Sequence, residues 1–364
     1  VDLNFASPQV LIAMVDVLLH YLIEGARYIR LDAVGFMWKT PGTCCIHLEQ
    51  THLLIQLFRA ITDVVAPGTV IITETNVPHQ DNISYFGNGE NEAQMVYQFS
   101  LPPLVLHAVH SQDVRVLSEW AASLTLPSTN TTWFNFLASH DGIGLNPLRG
   151  ILPESEILSL VEKLQHEGAL VNWKNNPDGT RSPYEINVTY LDALSTRDCN
   201  DNQRVARFIL AHAVLLSFPG VPAVYIQSIL GSRNDYEGVK RLGYNRAINR
   251  AKYVAGQIDG ALENKNSLRY QVYSALSRLI ALRRMEKAFH PDSEAYFSTS
   301  GSAILKITRV AASGEKITAI FNFSERAQTV QSDISVGRDL IAGNVITDTT
   351  LTLTPWQVLW IKEN

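Results

Sequence analysis

The chain has 364 residues, 46% hydrophobic and 18% charged, which allows a sizeable core and excludes wholesale disorder. Its net charge of −5 comes from 30 basic and 35 acidic residues with no basic run, which argues against nucleic acid as a partner. Its three cysteines, Cys44, Cys45 and Cys199, form neither a disulfide framework nor a zinc site and point to reduced thiols in the cytoplasm.

The chain opens Val1-Asp2-Leu3-Asn4 and runs straight into Ser7-Pro8, which reads as an N-cap and first helical position. Such a start reads as a piece of something longer. Val10–Leu19 is apolar but too short to span a membrane, and no basic segment precedes it as in a secretion signal. The pattern predicts an amphipathic helix over Pro8–Glu24.

A strand is predicted over Tyr28–Val34. A helix follows from His47 to Ala66, with Leu54, Leu57, Phe58, Ile61 and Val65 on one face and Pro67-Gly68 as its stop. Further strands are expected over Thr69–Thr75, Ala93–Phe99, Thr132–His140 and Ala223–Ser228. Helices are expected over Pro102–Leu124, Glu154–Glu167, Arg204–Phe218 and Ser267–Met285. Strands alternating with helices imply a parallel α/β sheet. The long excursion between Asp141 and Arg204 includes a polar segment, Asn172–Gly179, which reads as a loop or lid. From about Pro291 the period changes to short strands with turns at Gly314, Gly337 and Gly343, a small antiparallel β domain; Trp356 and Trp360 read as its core.

Three apolar runs each end on an acid: Tyr28–Leu31 on Asp32, Val70–Thr73 on Glu74, and Phe134–His140 on Asp141. An unpaired charge beside a core is costly, so three carboxylates at three strand tips imply a cleft into which a parallel sheet points them. They are 42 and 67 residues apart, which fits separate strands and not one helix face. Retaining glycosyl transfer needs two carboxyl groups about 5–5.5 Å apart, one to attack the anomeric carbon and one to shuttle a proton. In α/β barrels such groups collect at the carboxyl ends of strands. Arg30 lies two residues before Asp32, on the same strand face, where it would keep Asp32 ionised and oriented. His140 is placed to hydrogen-bond a sugar hydroxyl. Taken singly, each acid reads equally well as a salt-bridged surface carboxylate.

Arg30-Leu31-Asp32-Ala33-Val34, Ile72-Thr73-Glu74 and Ala138-Ser139-His140-Asp141-Gly142 resemble three of the sequence regions of the α-amylase superfamily. Tyr97–Leu104, His140–Gly144, Tyr184–Tyr190, Gly220–Tyr225 and Ile248-Asn249-Arg250 resemble the sucrose phosphorylase group within it, and more narrowly the glucosylglycerate phosphorylases. The resemblance implies that Asp32 is the nucleophile, Glu74 the acid/base and Asp141 the transition-state stabiliser. It implies that Arg30, His140 and Arg250 support the donor sugar, and that Tyr184 and Glu185 lie on a mobile loop handling acceptor and phosphate. Sucrose phosphorylases tend to carry Gln at the place of Glu185 and Asp at the place of Gln98, which weakens a sucrose assignment. An anionic acceptor needs cationic donors, for which Lys174, Arg181 and Arg233 are the loop candidates, though each also reads as a solvated surface charge.

The implied activity is that of a hexosyltransferase. It would pass α-glucosyl from 2-O-α-glucosylglycerate, or a related glucoside such as sucrose, to inorganic phosphate, giving α-D-glucose 1-phosphate without cofactor or metal. The alternatives are an α-glucosidase or transglucosidase of the same superfamily and an inactive fragment. Five parallel strands are read where a barrel of this type needs eight. The expected fold is therefore a (β/α)8 TIM-type barrel lacking its first three strands and domain B. Residues 1–290 would form the partial barrel, with an inserted loop region at 145–203, and 291–364 a C-terminal β-sandwich-like domain. A chain so truncated is expected to be inactive alone.

Overall fold

The computed structural model describes every residue except Val1, Pro177, Asp333, Ser335 and Asn364. Val1 of the opening tetrapeptide and Pro177 of the polar segment therefore lie outside the described residues. The chain divides into two compact units, one comprising residues 1–99 and 125–134, the other 100–124 and 135–364.

In the first unit, helix α1 (Pro8–Ile23) leads into strand β1 (Tyr28–Leu31), and helix α2 (Glu49–Val65) leads into β2 (Val70–Thr73). Strands β3 (Met95–Tyr97) and β4 (Thr132–Asn135) follow. The pairs β1–β2, β2–β3 and β3–β4 are all parallel, with Arg30 opposite Ile72, Ile72 opposite Met95 and Met95 opposite Thr132. Strand–helix–strand order with buried apolar runs gives a parallel arrangement, as the sequence predicts. Ser7 occupies the N-cap position of α1 but does not cap it; its hydroxyl donates to Gln9 instead, at 3.0 Å.

The second unit begins with helices α3 (Leu101–Ser111) and α4 (Arg115–Ala122), so the stretch Pro102–Leu124 is mostly helical, as expected, but in two pieces. The break falls at Gln112, which takes a left-handed conformation, φ 55°. Strand β5 (Ile143–Gly144), helix α5 (Glu154–His166) and strands β6 (Leu170–Asn175) and β7 (Arg181–Asn187) follow. The sheet order is β5-β7-β6, antiparallel, so Asn172–Asn175, the first half of the polar segment predicted as a loop, are strand. Helix α6 (Asp201–Ser217) starts at a capping box between Asn200 and Gln203. No strand forms over the expected range Ala223–Ser228: the strand β8 (Val221–Pro222) lies just before it, and the chain turns into a short helix at Ile226–Ile229. Ala223 N–H still donates to the Asn135 carbonyl at 2.7 Å.

Helix α7 (Leu268–Met285) precedes eight antiparallel strands: β9 (Glu294–Ser300), β10 (Ile304–Val310), β11 (Lys316–Asn322), β12 (Gln328–Gln331), β13 (Gly337–Asp339), β14 (Val345–Ile346), β15 (Thr350–Leu353) and β16 (Val358–Glu363). One sheet runs β14-β13-β16-β11-β10-β9, and β12 pairs with β15. Gly314 and Gly343 sit in turns at positive φ as predicted; Gly337 does not, lying inside β13 where a Cβ would meet the Lys362 carbonyl at 2.8 Å. Phe208 and Leu215 of α6, Leu276 of α7, Ile307, Phe321 and Trp360 share one buried core, so this sheet packs on the helices that precede it. No helix among the described residues is long and apolar enough to cross a membrane.

Candidate active site

In the first unit, Asp32 follows the last residue of β1 and Glu74 follows the last residue of β2, as their apolar runs predict. Arg30 joins them. Its Nη1 donates to Asp32 Oδ1 at 2.7 Å, its Nη2 lies 3.7 Å from Glu74 Oε2, and its Nε donates to the Tyr97 hydroxyl at 3.0 Å. The guanidinium also sits 5.5 Å from the Tyr97 ring centre. Burial works against the Arg30 cation, but the hydrogen bond to Asp32 and the charge of Glu74 outweigh it and hold its pKa above the ordinary value. Burial raises the Tyr97 phenol, with Arg30 opposing, so the hydroxyl is neutral and accepts from Arg30.

Glu74 is pinned a second way. Ala33 takes a left-handed conformation, φ 46°, and its N–H donates to Glu74 Oε2 at 2.9 Å. Glu74 is largely covered, with 13% of its side chain exposed, whereas Asp32 is 75% exposed. A hollow of about 450 Å³ beside β1 is lined by Arg30, Asp32 and Ala33 and by the apolar Val17, Tyr21 and Phe36.

In the second unit, Asp141 does not close a strand. Strand β4 ends at Asn135, six residues earlier, and the intervening backbone is held by the segment 245–250 instead. Asn249 Nδ2 donates to the carbonyls of Ser139 (3.2 Å) and Asp141 (2.8 Å), and Arg250 Nε donates to that of His140 (2.6 Å). Those side-chain bonds replace the ladder that the apolar run suggested. The Asp141 carboxylate meets Arg246 Nη1 at 2.5 Å and Arg250 Nη2 at 3.2 Å, both through Oδ1, while Oδ2 has the His140 imidazole at 3.6 Å.

Glu185 and Tyr184 lie in β7, not on a loop. Ile186 pairs with Ile143 and Glu185 with Gly144, so the strand is stitched to the residues just after Asp141. Glu185 is buried and accepts from Arg246 Nε (3.0 Å), Arg246 Nη2 (2.7 Å) and Asn172 Nδ2 (3.1 Å). The hydrogen bond to Glu185 first, and the charges of Glu185 and Asp141 after it, raise the Arg246 pKa despite partial burial. Of the basic candidates, Lys174 donates to Asn146 at 3.4 Å, Arg181 lies over the Trp173 ring, and Arg233 pairs with Asp192.

The structure thus brings Arg30, Asp32 and Glu74 together in one unit, and His140, Asp141, Glu185 and Arg250 together in the other. Arg246 goes unflagged by the sequence, and Tyr97, Asn172 and Asn249 stand in its motifs without a role of their own. The signal for Arg246 is its spacing of four from Arg250 in Asn245-Arg246-Ala247-Ile248-Asn249-Arg250.

No family model matches the chain. The glucosylglycerate phosphorylase of Escherichia coli (strain K12) is 68% identical over 362 residues, covering 100% of this chain and 65% of that protein. The sucrose phosphorylase of Agrobacterium vitis is 29% identical over 315 residues, covering 84% of this chain and 59% of its own length. The chain therefore spans about two thirds or less of these curated relatives. Among solved structures, sucrose 6F-phosphate phosphorylase from Thermoanaerobacter thermosaccharolyticum superposes with a TM-score of 0.76 at 21% identity, over 96% of this chain and 65% of that one. The α-amylase from H. orenii superposes with a TM-score of 0.68 at 14% identity, over 100% of this chain and 66% of that one, a likeness of fold alone. The parallel strand–helix pairs and the antiparallel tail are those of an α-amylase-type α/β fold with a C-terminal β domain. With 68% identity along its whole length to the first of these proteins, the chain belongs to the glucosylglycerate phosphorylase family, related to the sucrose phosphorylases, on an α-amylase-type fold.

Proposed function

We propose that the protein carrying this chain is a retaining glucoside phosphorylase acting on 2-O-α-glucosylglycerate or a closely related α-glucoside. The observation that carries the reading is the pairing of Arg30 with both Asp32 and Glu74, in a chain 68% identical to a glucosylglycerate phosphorylase. In this reading the open Asp32 carboxylate attacks the anomeric carbon while the covered Glu74 carboxyl gives its proton to the departing glycerate oxygen. The bond to glycerate breaks and a β-glucosyl ester on Asp32 forms. A phosphate oxygen then attacks the same carbon, Glu74 recovers a proton from it, and α-glucose 1-phosphate leaves with Asp32 restored. Asp141 steadies the developing positive charge and the sugar hydroxyls. Arg250 and His140 support the donor sugar, and Tyr184 serves the acceptor side.

The test is turnover of 2-O-α-glucosylglycerate with and without inorganic phosphate. Release of glucose 1-phosphate only in its presence supports the reading. Equal turnover to free glucose without phosphate transfers the protein to the α-glucosidases. In reverse, glucose 1-phosphate offered to glycerate, fructose and glycerol should favour glycerate; a preference for fructose overturns the substrate. A trapped glucosyl ester on Asp32, read by mass spectrometry, tests the covalent step, and no adduct in an otherwise active protein refutes it.

A further inference from the structure

Arg246 has a geometry that the roles above leave unused. It offers its Nε and Nη2 to Glu185 as a two-point fork and its Nη1 to Asp141, so one rigid plane spans two carboxylates. Glu185 is 1% exposed, and an unpaired carboxylate there would be costly. Both of its oxygens are occupied, by Arg246 and by Asn172, so it is fixed before any substrate arrives. Asn172 is held in turn: its Oδ1 accepts from Asn245 Nδ2 at 2.8 Å.

Gly142 makes the approach possible. A Cβ there would come within 2.6 Å of both Glu185 Cγ and the Ile186 carbonyl, so the chain just after Asp141 lies flush against β7. The result for Asp141 is asymmetric. Oδ1 receives both arginines, whereas Oδ2 has only the His140 imidazole at 3.6 Å, beyond hydrogen-bond reach.

We propose that Glu185 and Arg246 are positioning residues for Asp141: Glu185 anchors Arg246, and Arg246 holds Asp141 by Oδ1 so that Oδ2 is kept for the substrate. This rests on the reading of Asp141 as the transition-state stabiliser. Beside Arg246, glutamine at 185 would lose the two-point fork, because one of its two atoms facing the guanidinium becomes an N–H donor set against N–H donors.

The test is made in the full-length protein with Glu185→Gln, Arg246→Ala and the double variant, assayed by phosphorolysis of 2-O-α-glucosylglycerate. In each, kcat and kcat/KM should fall together by about 100-fold, the signature of a misplaced group felt only in the transition state. Arg246→Ala strands a buried carboxylate and is expected to unfold at lower temperature; the double variant removes both charges and keeps the fold measurable. Added guanidinium ion should restore part of the rate to Arg246→Ala, where Glu185 remains to hold it, and none to the double variant. A merely structural staple predicts lost stability with kcat within about 3-fold of wild type and no rescue; that result, in variants that remain folded, overturns the proposal. If the wild type hydrolyses the glucoside without needing phosphate, the phosphorylase reading fails and the same comparison is made on hydrolysis. If the wild type turns over no α-glucoside at all, both fall.

Discussion

The Ala33 N–H reaches Glu74 Oε2 at 2.9 Å only because Ala33 adopts a left-handed backbone, φ 46°. A side chain at such an angle costs roughly 1–2 kcal/mol, and a β-branched one more. The turn follows Asp32 directly, so the same three residues place one acid and tether the other. Ala33→Gly should leave stability within about 1 kcal/mol of wild type, since glycine removes the strain and adds unfolded-state entropy. Ala33→Val should lose about 2 kcal/mol and reduce kcat through Glu74. Urea melts and glucosyl-transfer rates of the two variants check both statements.

Arg30 reaches three partners with three different nitrogens, which a lysine cannot do. Arg30→Lys should therefore cost about 100-fold in kcat, by misplacing Asp32 and Glu74 together. Tyr97→Phe keeps the ring beneath the guanidinium and removes the hydrogen bond from Arg30 Nε. That bond is worth about 1 kcal/mol, so its loss should cost about 5-fold. If Tyr97→Phe proves as damaging as Arg30→Lys, the phenol has a part beyond holding the arginine.

Asp32 and Glu74 were legible in the sequence because β1 and β2 are short, apolar and end one residue before each acid. Asp141 was legible as an acid but not in its setting: Phe136–His140 is as apolar as a strand yet leaves the ladder at Asn135, held by Asn249 and Arg250 from more than 100 residues away. Alternation cannot report side-chain bonds made at that separation. The family resemblance puts Glu185 on a loop, whereas it lies in β7; pairing with β7 also orders the polar residues Asn172–Asn175, and local composition carries no trace of it. Gln112, with its left-handed backbone, divides the mostly helical stretch 102–124 in two, and composition does not report such a break.

Arg309 is fully buried and has no carboxylate partner among the described residues. It donates instead to the carbonyls of Ser217 (3.0 Å), Phe218 (2.8 Å), His290 (2.8 Å), Ser293 (3.1 Å) and Glu294 (3.2 Å). Two of these lie at the end of α6, where the helix dipole favours a cation. Arg283 caps the neighbouring Leu216 and Gly220 carbonyls. Burial, and Arg283 nearby, push the Arg309 pKa down to about 9, so it is still charged at neutral pH. Arg309→Met orphans five acceptors at once and should cost at least about 3 kcal/mol, measured by urea unfolding. A loss under about 1 kcal/mol would mean that water replaces the guanidinium there.

His212 is buried in α6 against the Phe208 ring, 3.9 Å between centres, and one ring nitrogen meets the Phe208 carbonyl at 2.9 Å. Burial lowers its pKa to about 4, with that hydrogen bond opposing. The unfolded chain protonates this histidine near pH 6.5, the folded one only near 4. Between those limits the unfolded state binds more protons, so stability falls as pH drops from about 6.5 to about 4 and levels off below. The shift corresponds to a loss on the order of 3 kcal/mol. His110, also lowered to about 4 by burial, adds to the same window. His212→Gln should flatten the slope of unfolding free energy against pH between those limits; an unchanged slope would show that His212 is not its source.

Helix α1 buries only Leu18 and Leu22 among its many apolar residues. Ile12, Tyr21 and Ile23 stand 62%, 53% and 78% exposed, and Tyr28 and Phe36 are exposed as well. Apolar surface of this kind favours association, since covering it releases about 25 cal/mol per Å² of apolar area. Residues 1–364 produced by themselves should therefore self-associate and bind an apolar dye. Replacing Ile12 and Ile23 together by lysine should suppress both effects, because the two side chains contribute nothing to the buried core and the new charges oppose stacking of copies. Light scattering at several protein concentrations measures it. A wild-type chain that stays monomeric at high concentration and binds no dye would show that surface to be covered from within the chain itself.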